Sequence, residues 1–252
     1  MNSAFDPRRH QAASTELAGR VIAVTGASDG LGRAVAIDCA RHGATVVLIG
    51  RHPGKLDAVF RSIEAIHPGA ATIAVLDLER ALAPDYGRLA AAVLERFGRL
   101  DGLLHSAGML GMLSPIEYYD VPTWCRVLHV NLTAAFALTQ VLLPALKRSP
   151  DASILFTSSG VGRRARAYWG AYAVSKFGIE GLAQVLSAEL SDITSIRVNT
   201  LDPGRVRTRM REQAYPGEDP ETLPTPESVT GPYLALLGPA SRGVTGGSFD
   251  AQ

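Results

Sequence analysis

Short apolar runs alternate with longer amphipathic segments along this chain from residue 20 onward. Several of the runs are apolar at consecutive positions, which is typical of parallel strands that are covered on both faces. We predict strands at 20–26, 44–50, 71–77, 100–106, 152–158, 195–201 and 244–250. The pattern between them predicts helices near 30–42, 54–66, 84–97, 120–147, 168–191 and 226–237.

This alternation predicts an α/β fold in which one doubly wound sheet carries helices on both faces. Right-handed crossovers would bring the carboxyl ends of the strands to one edge, where open sheets bind ligands. We divide the chain into an N-terminal extension, residues 1–19, and one domain, residues 20–252. Residues 203–226 hold five prolines and no regular pattern, so we interpret them as a substrate-binding lid loop.

Composition narrows the class of protein. The 252 residues are 46% hydrophobic and 19% charged, which suits a large core, and the net charge of +1 gives no reason to expect a nucleic-acid partner. The two cysteines, Cys39 and Cys125, predict neither a disulfide framework nor a structural metal site. We expect no signal peptide in the first 19 residues, no membrane-spanning run and a cytoplasmic location.

The stretch YWGAYAVSKFG, residues 168–178, places Tyr172 and Lys176 four positions apart in a small and apolar helical segment. Residues four apart are stacked neighbours on a helix, so the phenol and the ammonium can meet on one face. The ammonium is expected to lower the pKa of Tyr172, which would make the phenol a proton donor and acceptor near neutral pH. A polar pair on a helix surface has the same spacing, so both interpretations stay open.

The segment VTGASDGLG follows the first predicted strand and opens the first helix. Its glycines Gly26, Gly30 and Gly32 would let the backbone approach a pyrophosphate at a helix N-terminus. Any tight turn between a strand and a helix can also hold glycines. Because no P-loop lysine is present, the segment favours a dinucleotide over a nucleoside triphosphate.

The ends of the next two strands bear on which dinucleotide binds. The acid that would bind the adenosine ribose hydroxyls is absent after Gly50, and Arg51 stands there instead. Its guanidinium can bind a 2′-phosphate, so we predict a preference for NADP(H) and leave NAD(H) open. Asp29 in the glycine loop weakens this prediction, and a solvated loop arginine is the alternative. Asp77 is placed to accept from the adenine amino group or to cap the following turn.

Six motifs, taken in order, resemble the short-chain dehydrogenase/reductase family over residues 20 to 250. They are TGASDGLG, HSAG (105–108), HVNLTAAF (129–136), FTSSG (156–160), YAVSK (172–176) and DPGRVRT (202–208). Within the family, GASDGLGR, TSSGVGR, WGAYAVSKF and GGSFDAQ look like the YciK-like bacterial oxidoreductases. The resemblance implies a Rossmann fold with a seven-stranded parallel sheet in the order 3-2-1-4-5-6-7. It also implies a homodimer or homotetramer formed through the helices near 120–147 and 168–191.

The resemblance implies a set of four catalytic residues. Tyr172 would be the acid/base, Lys176 its partner that also binds the nicotinamide ribose, and Ser159 the residue that holds the substrate oxygen. Ser159 precedes Tyr172 by 13 residues, the family spacing, and is preferred over Ser158 for that reason. Asn131 would anchor a water that relays protons through Lys176.

Cofactor contacts are implied by the same resemblance. Val206 and Thr208 would contact the nicotinamide carboxamide, on a bend that Pro203 and Gly204 shape. The implied cofactor-binding positions are Gly26, Ser28, Gly30, Leu31, Gly32, Arg51, Asp77, Leu78, Ala107, Gly108, Tyr172, Lys176, Pro203, Gly204, Val206 and Thr208.

One motif departs from the family pattern, because the usual Asn-Asn-Ala-Gly is His105-Ser106-Ala107-Gly108 in this chain. We interpret His105 as a core residue that satisfies a backbone group, and not as a catalytic residue.

Together these residues predict an NADP(H)-dependent oxidoreductase that transfers hydride reversibly between nicotinamide and a small-molecule carbonyl or alcohol. A sensor or scaffold that binds the dinucleotide without turnover is the alternative, since a fold alone does not establish catalysis. Arginines flank the predicted cleft and favour an anionic substrate, such as a keto acid or an acyl thioester on an acidic carrier. They are Arg163, Arg164, Arg166, Arg205, Arg207, Arg209 and Arg211. The alternative is a set of solvated charges and ion pairs with Glu212, Glu218, Asp219 and Glu221.

Overall fold

Runs of β-branched and aliphatic residues form seven parallel strands of one sheet in the computed structural model, which describes residues 5–252. The strands are β1 (Val21–Thr25), β2 (Thr45–Gly50), β3 (Ala71–Val75), β4 (Gly102–His105), β5 (Ser153–Thr157), β6 (Arg197–Asp202) and β7 (Ser248–Asp250). Their order is β3-β2-β1-β4-β5-β6-β7, which confirms the predicted order and the doubly wound α/β class. Residues 1–4 of the predicted N-terminal extension lie outside the described residues.

Helices cover both faces of the sheet. They are α1 (Gly30–Arg41), α2 (Pro53–Glu64), α3 (Ala83–Phe97), α4 (Val121–Leu128), α5 (Ala134–Leu146), α6 (Gly170–Leu190), α7 (Arg209–Ala214) and α8 (Gly231–Leu237). On one face, α3, α5 and α6 pack around buried residues such as Leu138 and Phe156. On the other face, α1, α2 and α8 pack around residues such as Leu48 and Tyr233. These two apolar layers hold the carboxyl edge of the sheet rigid from both sides.

Two sequence predictions of local structure are wrong. The stretch 203–226 is not irregular throughout, because it contains α7, whose first turn is capped when the Thr208 side chain accepts from the Arg211 amide at 3.2 Å. The last strand begins at Ser248 and not at residue 244, because Gly246 has a φ of +71° and turns the chain.

The helical run Val121–Leu146 is long and apolar enough to cross a membrane by length and composition, contrary to the expectation that no run reaches that length. In the fold, its residues Leu138, Leu142 and Leu146 are fully buried in the core beside the sheet. A π-helical segment, His129–Thr133, interrupts the run between α4 and α5.

Residues 5–19 pack against the β7 end of the molecule. The rings of Phe5 and Phe249 meet edge to face with 6.0 Å between their centroids, and Leu17 is fully buried in the layer that contains α8. This part of the predicted extension therefore adds to the core of the domain.

Candidate active site

The candidate site residues converge on the carboxyl edge of the sheet, as the parallel topology requires. Strand β5 ends at Thr157 and leads into Ser159, and strand β6 ends at Asp202 and leads into the bend at Pro203. Helix α6 begins close by and carries Tyr172 in its first turn. Segments that are far apart in sequence therefore deliver their side chains to one place.

Tyr172 is buried, with only 7% of its surface exposed. Burial raises the pKa of Tyr172 to about 12, the nearby Ser159 side chain opposes the shift, and the Asp202 carboxylate adds to it. This differs from the expectation that Lys176 lowers the pKa. The Lys176 Nζ lies 5.6 Å from the centroid of the phenol ring and donates to the Thr157 carbonyl at 2.7 Å. Within the protein alone, desolvation of the phenol therefore outweighs the nearby ammonium.

Lys176 is desolvated in the same way. Burial lowers its pKa to about 8, and the carboxylates of Asp202 and Glu180 raise it against that effect. An ammonium with 6% of its surface exposed is costly to bury, so the fold holds Lys176 at the expense of stability.

The two serines at the end of β5 differ in their partners. Ser158 is buried and its hydroxyl donates to the Glu180 carboxylate. Ser159 is half-buried, and its side chain interacts with the Tyr172 hydroxyl. The preference for Ser159 over Ser158, which rested on the spacing of the family motif, stays a prediction.

Asn131 lies in the π-helical segment between α4 and α5 and is buried. Its side-chain amide donates to the Met109 carbonyl and to the Ser175 hydroxyl, both at 3.0 Å, and its carbonyl oxygen accepts from the Met109 amide at 2.8 Å. Asn131 thereby ties the segment that follows β4 to helix α6. Single-turn π-segments of this kind are frequent at functional sites.

The turn after β1 has no space for side chains at two of its glycine positions. Gly26 has a φ of +68°, and a Cβ at this position would lie 2.9 Å from the Cα of Ala107. A Cβ at Gly32 would lie 2.5 Å from the Gly26 carbonyl oxygen. The Thr25 hydroxyl accepts from the amides of Ser106 and Ala107 at 3.0 and 3.1 Å and holds the two strand exits together. This cradle fits the close approach of a pyrophosphate at the N-terminus of α1.

The bend after β6 lies over the same cradle. A Cβ at Gly30 would lie 3.5 Å from the Thr208 side chain, so the two segments face each other across α1's first turn. The Gly204 amide donates to Asp202 at 2.9 Å, and Val206 is buried. The other predicted cofactor positions are at the same edge: Ser28, Leu31, Leu78 and Gly108.

Arg51 and Ser28 lie at the corner where β2 ends. A Cβ at Gly50 would lie 3.5 Å from the Ser28 hydroxyl, so this hydroxyl faces the strand end that carries Arg51. The Arg51 guanidinium is 3.5 Å from the Glu79 carboxylate, which also pairs with Arg126 at 2.9 Å. One carboxylate thus serves two guanidinium groups, and this corner keeps a net positive charge that suits a phosphate.

Two acids near this corner have protein partners. Asp29 pairs with Lys55 at 2.7 Å, and this bond lowers the pKa of Asp29. The objection that Asp29 would oppose a phosphate is weakened, because its charge is balanced. Asp77 accepts from the Glu79 amide at 3.1 Å and so caps the turn after β3. This is the alternative role that the sequence left open, and only one of its two carboxylate oxygens is used in this bond.

His105 is a core residue. Its ring stacks on Phe156 with 4.7 Å between centroids, its Nε2 lies 2.8 Å from the Thr139 hydroxyl, and burial lowers its pKa to about 3. The imidazole is therefore neutral. The expectation that it satisfies a backbone group is wrong, because its partner is a side-chain hydroxyl.

Three of the seven predicted cleft arginines are held in ion pairs. Arg163 pairs with Glu180 at 3.0 Å, Arg207 with Glu221 at 2.9 Å, and Arg211 with Glu218 at 2.5 Å. Among residues 5–252 the other four make no ion pair within 4 Å: Arg164, Arg166, Arg205 and Arg209.

The four free arginines divide into two groups. The charge of Arg209 adds to the lowering of the pKa of Asp29 beside the glycine cradle, and the charge of Arg205 adds to the lowering of the pKa of Glu218, which follows α7. Arg164 and Arg166 are exposed between Ser159 and Tyr172.

An aromatic wall formed by Trp169 and Tyr215 lies on one side of the Tyr172 ring. The Trp169 ring lies 5.7 Å from the Tyr172 ring and 5.9 Å from the Tyr215 ring, and Met210 packs into the same cluster. Helix α7 and the residue after it therefore contact the start of α6 through apolar and aromatic side chains.

Sequence reasoning missed two acids, Asp202 and Glu180, whose charges raise the pKa of Lys176; Asp202 also raises the pKa of Tyr172. Glu180 could have been found by extending the face of Tyr172 and Lys176 by one further helical turn. Asp202 follows the end of β6, and only the pairing of β5 with β6 places it near Tyr172. Within the described ranges, no group of three His, Cys, Asp or Glu residues is arranged to hold a metal ion.

Comparisons with known proteins agree on one family. The family model described as short chain dehydrogenase matches residues 20–219. The uncharacterized oxidoreductase YciK of Escherichia coli (strain K12) is 46% identical over 233 residues, which are 92% of each protein. A structure assigned as a short chain dehydrogenase from Pseudomonas syringae is 50% identical with a TM-score of 0.95, and the match covers 98% of this chain and 99% of that one. A similar structure from Escherichia coli CFT073, solved in complex with NADPH, is 46% identical with a TM-score of 0.93 and coverage of 95% and 99%. The resemblance inferred from the motifs is confirmed.

The buried ammonium generates a prediction about stability. Because the pKa of Lys176 falls from its ordinary value of 10.5 to about 8, the unfolded chain holds a proton between pH 8 and 10.5 that the folded chain has lost. The free energy of unfolding should therefore rise with pH in this window. Between pH 8 and 10.5, the free energy of unfolding of the wild type should rise by roughly 2–3 kcal/mol more than that of Lys176→Met, in which the other groups titrate as they do in the wild type. Urea unfolding of both cofactor-free proteins at several pH values measures the difference.

Lys147→Met is the matched control for this experiment, because Lys147 is exposed. Its unfolding free energy should follow the wild type at every pH. Parallel pH profiles for the wild type and Lys176→Met would contradict the lowered pKa.

Proposed function

This chain belongs to the short-chain dehydrogenase family, and from that membership we propose that it is an NADP(H)-dependent oxidoreductase that interconverts a carbonyl compound and its alcohol. The observation that carries the proposal is the meeting of three side chains. The buried Tyr172 phenol interacts with the Ser159 hydroxyl, and Lys176 lies on the same face of α6. This arrangement lies at the same strand edge as the glycine cradle.

The chemistry divides between cofactor and protein. A bound nicotinamide supplies or takes up the hydride, and its oxidised form is positively charged. As negative charge develops on the carbonyl oxygen, the Tyr172 hydroxyl gives its proton to that oxygen and the Ser159 hydroxyl donates a hydrogen bond to it. In the opposite direction a Tyr172 phenolate takes the proton of the alcohol.

The protonation state of Tyr172 supports the reductive direction. With a pKa near 12, the phenol is protonated at neutral pH and available as a proton donor. A positive charge beside it, as in the oxidised complex, would favour the phenolate. We assign Lys176 to the nicotinamide ribose, and Asn131 to holding α6 and the β4 exit at the distance that this contact needs.

Removal of the phenol hydroxyl tests the mechanism. Tyr172→Phe should lower kcat by at least about 100-fold, which is the usual contribution of a general acid, while the Kd for NADPH changes little. Steady-state kinetics and isothermal titration measure the two quantities. Tyr86→Phe is the matched control, since Tyr86 is a buried phenol on α3, a helix that carries none of the four predicted catalytic residues. Full activity of Tyr172→Phe would exclude this role.

The cofactor preference is proposed from Arg51 and Ser28, and the NADPH complex of the Escherichia coli CFT073 relative supports it. The wild type should bind NADPH more tightly than NADH, because the guanidinium and the hydroxyl both suit the 2′-phosphate. Arg51→Asp should narrow or reverse the difference, whereas Arg41→Asp, at the far end of α1, should leave it unchanged. Isothermal titration with both cofactors decides, and tighter binding of NADH by the wild type would contradict the proposal.

The substrate class is proposed from two of the four arginines that make no ion pair. Arg164 and Arg166 follow the Ser159 loop, and the Arg166 carbonyl accepts from the amide of Trp169, a residue of the aromatic wall, at 3.4 Å. An anionic carbonyl compound with an apolar part fits this combination, such as a keto acid or an acyl thioester on an acidic carrier.

A turnover screen with NADPH over matched neutral and anionic ketones tests the substrate class. Anionic ketones should have the higher kcat/KM, and added salt or the change Arg164→Gln with Arg166→Gln should reduce that advantage. Arg41→Gln is the matched control at the opposite edge. Equal turnover of neutral and anionic ketones at both low and high salt would contradict the proposal.

We also propose a homodimer or homotetramer. Large apolar side chains on α5 and α6 are 45–55% exposed: Phe136, Val174, Phe177 and Val185. A second copy of the chain would cover them and remove apolar surface from water. Light scattering at micromolar concentration should give a multiple of 26.7 kDa, and a monomer would contradict the proposal.

A further inference from the structure

We propose that Glu180 is a positioning residue that holds the loop carrying Ser159 against the face of α6 that carries Tyr172 and Lys176. The inference deepens the proposed function, because it concerns how the two hydroxyl groups of that site are kept at a fixed separation.

The Glu180 carboxylate collects four hydrogen-bond donors inside the protein. One oxygen accepts from Ser158 and from the Nε of Arg163 at 3.0 Å. The other accepts from the hydroxyls of Thr200 at 2.8 Å and Ser248 at 3.0 Å. Helix α6 is thereby joined to β5, β6 and β7 through one side chain. Burial raises the pKa of Glu180, but its hydrogen bonds more than offset this and the pKa is lowered, so the group is ionised.

Residues on both sides of Ser159 in the sequence donate hydrogen bonds to Glu180. Ser158 precedes Ser159 and Arg163 follows it, and both donate to the same carboxylate oxygen. Between them the chain makes a tight turn in which the Gly162 amide donates to the Ser159 carbonyl at 2.8 Å. A segment with both ends attached to one group has little freedom to move.

The same turn contacts α6, the helix that carries Tyr172 and Lys176. A Cβ at Gly162 would lie 2.7 Å from the Cβ of Lys176, so the backbone of the loop touches α6 at Lys176. Tyr172, Lys176 and Glu180 are spaced by four residues and share one helix face. Glu180 therefore sets the loop position relative to the residues one and two turns before it.

Arg163 anchors the loop to the far strand. Its other nitrogens donate to the Phe249 carbonyl at 2.7 Å and to the Asp250 carboxylate at 2.5 Å. The loop is thus held between α6 and β7, and Arg163 serves this anchor and not the substrate. Loss of Glu180 would leave Arg163 and Ser158 without their shared acceptor inside the protein, and the loop would relax.

The test is a double-mutant cycle on kcat. Glu180→Ala should lower kcat by about 10- to 100-fold, because a shift near 1 Å at a reacting group can cost that much. In the Ser159→Ala background the same change should cost less than about threefold, because the group that it positions is already gone. The Kd for NADPH should change little in either background. Glu189→Ala is the matched control, since Glu189 is exposed on the same helix.

A conservative variant distinguishes the hydrogen-bonding role of the Glu180 side chain from an effect of its negative charge. Glu180→Gln keeps an oxygen acceptor at the same place, and it should restore most of the kcat that Glu180→Ala loses. If Glu180→Ala does not fold, Ser158→Ala can replace it in the double-mutant cycle with Ser159→Ala, because it removes one of the two hydrogen bonds that hold the loop to Glu180. Equal losses of kcat with and without Ser159 would overturn the proposal.

A second readout does not depend on turnover. Amide hydrogen exchange of residues 158–163 should be faster in Glu180→Ala than in Glu189→Ala, with residues 21–25 unchanged as an internal reference. Unchanged exchange in 158–163 would overturn the positioning role, whatever the activity. Absence of turnover in the wild type would refute the proposed function instead, and the exchange result would still stand.

Discussion

The parallel ladder from β3 to β7 is the constraint on which the candidate site depends. Each strand runs in the same direction, so each strand exit lies at the same edge, and the chain must return across a helix before the next strand can begin. Gly26, Ser106, Ser159 and Pro203 leave four different strands and become neighbours for this reason alone. The Thr25 hydroxyl and the bare glycine backbone then bring the first two of these exits into direct contact.

Burial at this edge has opposite effects on the two central groups. It raises the pKa of Tyr172 and lowers the pKa of Lys176, so both shift toward their neutral forms. Each side chain would be easier to accommodate in a purely structural helix if it were apolar. Their presence in a buried face, beside two carboxylates that act on them, is the stability cost typical of a functional site.

The positive charge available at the site depends on how many arginines are free of ion pairs, and not on how many arginines are present. Seven arginines near one cleft suggested a strong positive field, but Arg163 and Arg211 are committed to nearby acids. Arg164 and Arg166 make no ion pair and are exposed between Ser159 and Tyr172. A claim about the substrate therefore rests on two residues, and the polar network around Glu180 accounts for Arg163.

The sequence by itself determined the fold class and the approximate limits of the strands, because continuous apolar runs and a helical period depend on local chemistry, whereas the strand order came from the family resemblance of the motifs. It also pointed to the Tyr172 and Lys176 face, since residues four apart on a helix must be neighbours. It could not determine the pKa of Tyr172, because burial depends on elements packed from elsewhere in the chain. Partners such as Glu79 for Arg51 and Thr139 for His105 are equally remote in sequence, and they become contacts only when the sheet and its two helical layers close around them.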